Sequence, residues 1–192
     1  MNTDSKHCER HLIDQALSGE TAAFGALLEP YLDRLYNATW HWLGNEEDAR
    51  DVVQEACVKA FVKLESFRGG SAFYTWLYRI TFNTALSWKR KDRPSVSVDG
   101  LRDDSGREPE SNEPQPGDVL EDRERQETVR RAIAALEPDA RAIVILREIE
   151  GMDYRAIAET LDIELGTVRS RLFRARLKLK ELLQGELDIE DA

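Results

Sequence analysis

The stretch YRAIAETLDIELGTVRSRLFRARLKL, residues 154–179, contains two helical patterns separated by a short turn. Apolar residues recur at helical spacing as far as Leu161, and Asp153 can cap the amino end of this first helix. Residues 162–164 form the turn, and a longer basic pattern follows it. Two helices joined by a turn of about three or four residues make a helix-turn-helix. The stretch therefore predicts a compact DNA-binding unit near the carboxyl end of the chain.

The second helix is strongly basic, although the chain of 192 residues has a formal net charge of −10. Residues 166–180 hold six arginines and lysines and no acid. At about 100° per residue, the face predicted to pack inward is apolar and consists of Val168, Leu172, Ala175, Leu179 and Leu182. The opposite face presents Ser170, Phe173, Arg174 and Leu177. A solvated helix would carry glutamates for i,i+4 pairs, so an exposed aromatic among arginines favours contact with major-groove DNA.

The acidic residues are concentrated away from this helix. Residues 95–120 hold seven acidic and two basic side chains, and residues 181–192 hold five acidic and no basic ones. Attraction to phosphate depends on the potential within a Debye length of about 8–10 Å, so the overall charge does not exclude nucleic acid. Residues 95–118 also contain three prolines, three glycines and few large apolar residues. This composition predicts a flexible linker without a packed core.

The chain is predicted to be all-α, with two small helical domains joined by this flexible acidic linker. The first domain is expected at residues 1–94, the linker at 95–120, and the helix-turn-helix domain at 121–192. Helices are predicted at about residues 12–17, 21–43, 46–66, 74–91, 121–136, 138–150 and 154–161. Pro30 is expected to kink or divide the second of them.

Two surfaces of the first domain allow two interpretations each. Val58 and Val62 lie opposite the apolar face of their helix, either to meet a partner or as two tolerated surface valines. The helix at 74–91 carries five aromatic residues and ends in a basic cluster. Aromatics interleaved with cations suit unstacked bases, but a well-filled core with a solvated basic end would show the same pattern.

Targeting signals and disulfides are not expected. No apolar run is long enough to span a bilayer, and the amino terminus lacks the apolar core of a secretion signal. Cys8 and Cys57 lie far apart in the sequence, which predicts a reducing, cytoplasmic location without a disulfide framework.

Two blocks of the sequence together resemble a known family. DARDVVQEACVKAFVKLESFRGGSAFYTWLYRITFNTAL, residues 48–86, and the stretch at 154–179 resemble an extracytoplasmic-function (group IV) sigma factor of the sigma-E-like type. The resemblance spans nearly the whole chain, in the family's order and with its variable linker between the blocks. It implies a protein that binds core RNA polymerase and directs promoter-specific transcription initiation under the control of an anti-sigma factor. No cofactor, no small-molecule substrate and no insertion into a membrane are implied.

The resemblance also implies residue roles. A loop that captures a flipped base of the minus-ten element corresponds to Phe67, Arg68, Gly69, Gly70, Ser71, Ala72 and Phe73, with Asn83 on the next helix. Many relatives carry an acidic or polar residue in place of Gly70. Contacts to the minus-thirty-five element correspond to Arg147, Tyr154, Thr167, Arg169, Ser170, Arg171, Phe173 and Arg174. Docking on the clamp helices of the polymerase β′ subunit corresponds to Asp48, Asp51, Gln54, Glu55, Val58 and Val62, with the β subunit as a further partner.

Other classes of protein remain as alternatives. A stand-alone helix-turn-helix regulator, with the first domain as a sensor or dimerisation domain, would bind a promoter without polymerase. An enzyme is disfavoured because no nucleophile, base and acid form a set, and the Gly69–Gly70 pair lacks the residues of a P-loop. A metal site is a further alternative, because His7, Cys8 and His11 are spaced so that they could ligate a metal, and His41 and Cys57 are further candidates. These residues lack the paired motifs of structural zinc. We further hypothesise that the acidic linker lies along basic nucleic-acid channels of the polymerase when these are empty.

Overall fold

A computed structural model of the chain describes the backbone of residues 3–91 and 116–190 and the side chains of residues 7–90 and 125–184. The described part is helical and contains no strand. Its α-helices are α1 (Thr3–Leu17), α2 (Thr21–Leu43), α3 (Glu46–Lys63), α4 (Phe73–Lys91), α5 (Pro116–Ala134), α6 (Pro138–Val144), α7 (Tyr154–Leu161) and α8 (Leu165–Glu190). A short 3-10 helix, Leu64–Ser66, follows α3, and a π-helix, Ile145–Ile149, follows α6. The predicted all-α fold is confirmed.

The helix α2 runs from Thr21 to Leu43 without a break at Pro30, so the proline does not divide it. Leu27 and Leu35, on either side of the proline, are both buried. Packing of this apolar face holds the helix together where the proline removes one backbone hydrogen bond. The helix ends at Gly44, whose positive φ of 80° favours glycine and whose N–H donates to the carbonyl of Trp40.

The helix α4 buries two rows of side chains rather than one. Leu77 from the first row and Tyr78 and Phe82 from the second are all buried. The reason is that α4 contacts α2 and α3 in its own domain and α7 in the other. Tyr78 and Phe82 are therefore core residues, as the structural interpretation of this aromatic helix predicted, whereas Trp76 is half-buried.

The second domain differs from the sequence prediction at two boundaries. The helix α5 begins at Pro116, within the predicted linker, and proline is favourable in the first turn of a helix. Residues 95–115, the rest of the predicted linker, lie outside the described residues, as do residues 1–2, 92–94 and 191–192. The single helix predicted at 138–150 is instead an α-helix that widens into a π-helix, in which the N–H of Glu150 donates to the carbonyl of Ile145 at 3.0 Å. Gly151, at a φ of 66°, then ends it.

The helix-turn-helix is formed by α7 and α8, as predicted. The Asp153 carboxylate accepts from the backbone N–H groups of Arg155 and Ala156 at 2.9 and 2.8 Å, which caps α7. Asp162 then turns the chain with a φ of 55°. The predicted inner face of α8 is confirmed, since Val168, Leu172 and Ala175 are buried and Leu179 and Leu182 pack against the core.

The two domains pack directly against each other. The helix α7 lies on α4, and α2 contacts α5, α6 and the π-helix. The indole N–H of Trp42 donates to the carbonyl of Pro138 at 3.2 Å, and Arg141 Nη1 donates to the carbonyl of Trp42 at 2.8 Å. The same guanidinium also donates to the carbonyls of Ala134 and Leu136, so one arginine joins both domains.

Candidate nucleic-acid interface

The outer face of α8 is open to solvent. Phe173 is 64% exposed, and Arg169, Ser170 and Arg174 beside it are also exposed. Arg174 Nε donates to the carbonyl of Ser170 at 3.3 Å, which lays this guanidinium along the helix. The face therefore offers an aromatic ring and guanidinium donors on one rigid surface, which are the groups that read base edges and phosphates in a major groove.

Two cations of α8 are committed to the body of the second domain. Arg171 Nη1 lies 2.7 Å from Asp139 Oδ2, and Arg176 Nη2 lies 2.6 Å from Glu148 Oε1. The bond to Glu148 raises the pKa of Arg176. Exposed pairs of this kind contribute about 0–1 kcal/mol, so they orient α8 more than they stabilise it. The missing i,i+4 glutamates in α8 are thus partly replaced by acids from other elements.

The predicted contact residues ahead of α8 form a small stacked group. The Arg147 guanidinium lies 5.2 Å from the centre of the Tyr154 ring, and its Nη1 donates to the carbonyl of Met152 at 2.7 Å. Both side chains are half-buried. Thr167, in the first turn of α8, is half-buried as well. The π-helix carries Arg147, so this widened turn determines where the guanidinium points.

The loop between α3 and α4 rests on three aromatic rings. The ring centres of Phe67, Phe73 and Trp76 lie 5.3–5.6 Å from one another. Phe73 has no exposed surface and supports the loop from beneath, so its ring is not accessible for stacking on a base. Each such aromatic pair contributes about 0.5–1.5 kcal/mol beyond burial. The cluster therefore fixes a loop that has little other internal structure.

A shallow cavity of about 250 Å³ opens beside this loop. It is lined by Phe67, Arg68, Gly70, Ser71, Thr75, Trp76, Arg79 and Glu159. Gly69 has a φ of 69°, a conformation that favours glycine, whereas a Cβ added at Gly70 would meet nothing within 4 Å. The cavity brings together most of the predicted loop residues, although Ala72 is exposed outside it.

Asn83 does not line the cavity but lies along the same face of α4. Trp76, Arg79 and Asn83 follow the i, i+3, i+7 spacing of one helix face, and Arg79 and Asn83 are exposed. Arg79 is a residue that the sequence argument missed. Its spacing of four from Asn83, on a helix that ends in cations, was the available signal.

The predicted polymerase-docking face on α3 is exposed and partly apolar. Val58 and Val62 are 61% and 74% exposed, and Phe61 between them is also exposed, with its ring edge against Phe24. Among the predicted acidic contacts, Asp51 and Gln54 are exposed and Asp48 is half-buried. Glu55 pairs with Lys59 on the same helix at 2.6 Å. Adjacent exposed apolar side chains of this kind are typical of a surface that a partner covers.

The described residues contain no group of acidic, histidine and cysteine side chains that could hold a metal ion. Cys8 is exposed and Cys57 half-buried, both as free thiols. Burial lowers the pKa of His41 and raises that of Cys57. No helix in the described ranges is long and apolar enough to cross a bilayer.

Several known proteins are similar to this chain over nearly its whole length. Residues 27–94 match the family model described as Sigma-70 region 2, and residues 126–179 match Sigma-70, region 4. The ECF RNA polymerase sigma-E factor of Escherichia coli K12 is 37% identical over 180 residues, covering 90% of this chain and 93% of that protein. The RNA polymerase sigma-H factor of Pseudomonas aeruginosa is 34% identical over 181 residues, 92% of this chain and 94% of that protein.

Solved structures are similar across both domains. CnrH, in complex with the cytosolic domain of CnrY, has a TM-score of 0.69 and 28% identity, covering 93% of this chain and 98% of that one. The sigma factor RpoE of Bartonella quintana, in complex with the anti-sigma factor NepR, has a TM-score of 0.67 and 27% identity, covering 84% and 96%.

Proposed function

The chain belongs to the sigma-70 family as an extracytoplasmic-function sigma factor, and we propose that its two domains divide promoter recognition between them. It binds core RNA polymerase and directs promoter-specific transcription initiation. In our assignment the domain at residues 1–94 docks on the polymerase and reads the minus-ten element. The domain at residues 121–192, extended at its amino end by the start of α5, reads the minus-thirty-five element.

The observation that carries the minus-thirty-five assignment is the exposed aromatic ring of Phe173 among exposed arginines on α8. Leaving such a ring in water has no structural benefit, because the inner face of the helix is already filled by other side chains. In a major groove the ring can contact a thymine methyl group while Arg169 and Arg174 donate to guanine or phosphate. Arg147 and Tyr154 approach the same groove from the preceding elements.

The minus-ten assignment is supported by the cavity beside the loop at residues 67–73. Flipping a base out of the duplex costs a few kcal/mol, and stacking on an aromatic ring returns about 1–3 kcal/mol per base. Phe67 and Trp76 are both half-buried, so each retains an accessible ring edge at the cavity. Arg68 and Arg79 supply donors for the phosphates on either side, and Asn83 continues the polar face along α4.

Docking on the polymerase is assigned to the outer face of α3. Val58 and Val62 provide the apolar centre, and Asp51 and Gln54 provide a polar edge. This arrangement matches the general anatomy of a protein interface, in which an apolar core is surrounded by a polar rim. Glu55 can contribute as well, since its surface pair with Lys59 is weak enough to exchange partners.

An anti-sigma factor is the third partner that we assign. The solved relatives include a sigma factor held by the anti-sigma factor NepR, and their similarity extends over both domains of this chain. Proteins of this family are initiation factors rather than catalysts, and we propose the same for this chain. We place its action in the cytoplasm, where the polymerase is.

Run-off transcription with core polymerase on a promoter library tests the function directly. Gel filtration of the chain with core enzyme is the matching binding assay. Val62→Asp is the variant, and Leu17→Asp, at an exposed apolar position on α1, is its control. We expect co-elution for the wild type and for Leu17→Asp, and weakened co-elution for Val62→Asp. Binding of the free chain to a duplex promoter with no added effect of core enzyme would instead indicate a stand-alone regulator.

A further inference from the structure

A pair of charges joins α8 to the π-helix. Arg176 lies on α8, and its Nε and Nη2 both donate to Oε1 of Glu148 in the π-helix, at 2.9 and 2.6 Å. The two side chains are 49% and 43% exposed, so the pair lies at the surface of the second domain. Two donors of a planar guanidinium on one oxygen fix its orientation as well as its distance. The Arg176–Glu148 pair therefore sets the position of the π-helix relative to α8.

The residue before Glu148 is the predicted contact Arg147. Its guanidinium lies 5.2 Å from the centre of the Tyr154 ring, and its Nη1 donates to the carbonyl of Met152 at 2.7 Å. A guanidinium carries its N–H donors in a rigid fork, so one that is held in this way directs its remaining donors to one side. That direction depends on the backbone of the π-helix, a kind of widened turn that is frequent at functional sites. A shift of the π-helix would therefore move the donors of Arg147.

Tyr154 interacts with Arg176 as well as with Arg147. The pKa of Arg176 is raised mainly by its hydrogen bonds to Glu148 and, to a smaller extent, by the Tyr154 side chain. Arg169 lies about two turns before Arg176, on the same flank of α8. This flank therefore brings together an exposed arginine that we assign to DNA, an aromatic ring and the guanidinium that is stacked on it.

The other acid at the end of the π-helix has its partners in the first domain. The Glu150 side chain is 2% exposed and accepts from the Tyr78 hydroxyl at 2.5 Å and from Arg34 Nε at 3.1 Å. Glu148, in contrast, is paired within the second domain. Its pair therefore fixes the π-helix on α8 without any contact from the first domain.

We propose that Arg176 and Glu148 are positioning residues for the minus-thirty-five element. Their pair fixes the π-helix on α8 and so holds Arg147 on the Tyr154 ring, with its remaining N–H groups directed at a phosphate of the duplex. Tyr154 begins α7, and the first helix of a helix-turn-helix crosses the DNA backbone when the second lies in the major groove. This inference rests on the proposed function, because it assumes that α8 reads the minus-thirty-five element.

The charge of Glu148 gives the positioning role a sign that a purely structural role does not have. Removal of this carboxylate takes an anion away from a surface that faces a polyanion, and it also releases the guanidinium of Arg176. Both changes favour DNA binding by charge alone. If the pair positions Arg147, the same substitution weakens DNA binding instead.

The test measures equilibrium binding of polymerase, reconstituted with each variant, to a labelled duplex over a range of salt concentrations. The duplex carries the minus-thirty-five element of a promoter selected in the run-off assay and ends upstream of the minus-ten element. Glu148→Gln is the variant. Asp139→Asn is its control, because it breaks a similar exposed pair, to Arg171 at 2.7 Å, on a different flank of α8. Thermal unfolding establishes that each variant is folded.

We expect Glu148→Gln to weaken binding about two- to fivefold, the upper part of the range for an exposed pair. Asp139→Asn should bind as tightly as the wild type or more tightly, because it removes an anion. Arg147→Gln should lower the slope of log affinity against log salt by about one, as loss of a phosphate contact requires. In the Arg147→Gln background, neither Glu148→Gln nor Arg176→Gln should weaken binding further, because both act through Arg147.

Two results would overturn the positioning role. One is a folded Glu148→Gln variant that binds the duplex as tightly as the wild type or more tightly. The other is additive losses for Arg147→Gln and Arg176→Gln, which would mean that each arginine contacts DNA separately. Arg174→Ala separates these failures from failure of the proposed function. If Arg174→Ala weakens binding, α8 still reads the element and only the positioning role is lost, whereas no effect of Arg174→Ala would remove the minus-thirty-five assignment itself.

Discussion

The two surfaces that we assign to promoter DNA are built differently. The face of α8 is open, lies on one rigid helix and is oriented by ion pairs to its own domain. The loop at residues 67–73 rests on an aromatic cluster, borders a cavity and has acids of the other domain against it. A duplex displays its base edges in the major groove without being melted, so a preformed surface is enough to read it. A melted strand has to be captured base by base, and the surface that we assign to this capture is bordered by acids of the second domain.

Phe73→Ala should give the largest effect, because it removes the fully buried ring of the aromatic cluster. Loss of a buried phenylalanine costs about 3–5 kcal/mol, and we expect the first domain to unfold at lower denaturant concentration and open-complex formation to be lost. The second domain should keep its helical signal. An unchanged denaturation midpoint for the first domain would show that the loop does not depend on this cluster.

Arg174→Ala should have the next largest effect, and it changes only the open surface on α8. A guanidinium that reads a base contributes about 1–3 kcal/mol, which corresponds to roughly 5- to 150-fold in promoter-specific transcription. Co-elution with core polymerase and thermal stability should remain as in the wild type. Phe173→Ala should behave in the same way. Equal loss of polymerase binding in both variants would mean that the second domain had misfolded instead.

Asn83→Ala tests the surface assigned to the minus-ten element with a smaller change. A single neutral hydrogen bond contributes about 0.5–1.5 kcal/mol, so we expect a roughly 2- to 12-fold slower open-complex formation, measured by permanganate footprinting. Binding to the minus-thirty-five duplex should be unchanged. Normal melting in this variant would remove Asn83 from the minus-ten site.

Arg171→Gln should have the smallest effect and sharpens the description of the open surface. This arginine is already paired with Asp139, and an exposed pair contributes about 0–1 kcal/mol. We therefore expect a smaller loss of transcription than for Arg174→Ala. A salt titration of promoter binding separates the roles: a lost phosphate contact lowers the slope against salt by about one, and a lost structural pair does not.

Sequence periodicity was sufficient for both faces of α8 and for most helices, although α1 begins at Thr3 rather than near residue 12 and α5 at Pro116 rather than near residue 121. The 3.6-residue pattern placed Val168 and Leu172 inside and Phe173 outside, and Asp153 identified the start of α7. It also predicted the extent of α2. These features depend on neighbours within one helical turn, which the sequence displays directly. The roles assigned to the site residues stay predictions, because they depend on partners outside the chain.

The interface between the domains was not predictable in the same way. Glu150 follows an ordinary helical pattern, and nothing near it in sequence indicates that Tyr78, 72 positions earlier, would become its partner. The widened turn at Ile145–Ile149 was missed because a π-helix has no distinct residue pattern. The second aromatic row of α4 gave the only hint, since it held more apolar surface than one domain needed.

Translation makes the residues of the buried cluster around Glu150 available in a fixed order. Arg34 and Tyr78 leave the ribosome well before their carboxylate, which lies 116 and 72 positions further along the chain. At about 5–20 residues per second, the interval after Tyr78 is roughly 4–14 seconds. During that time the first domain exists without the second. The loop and cavity assigned to the minus-ten element are then without Glu159 and Asp162, the acids that the second domain places beside them in the finished chain.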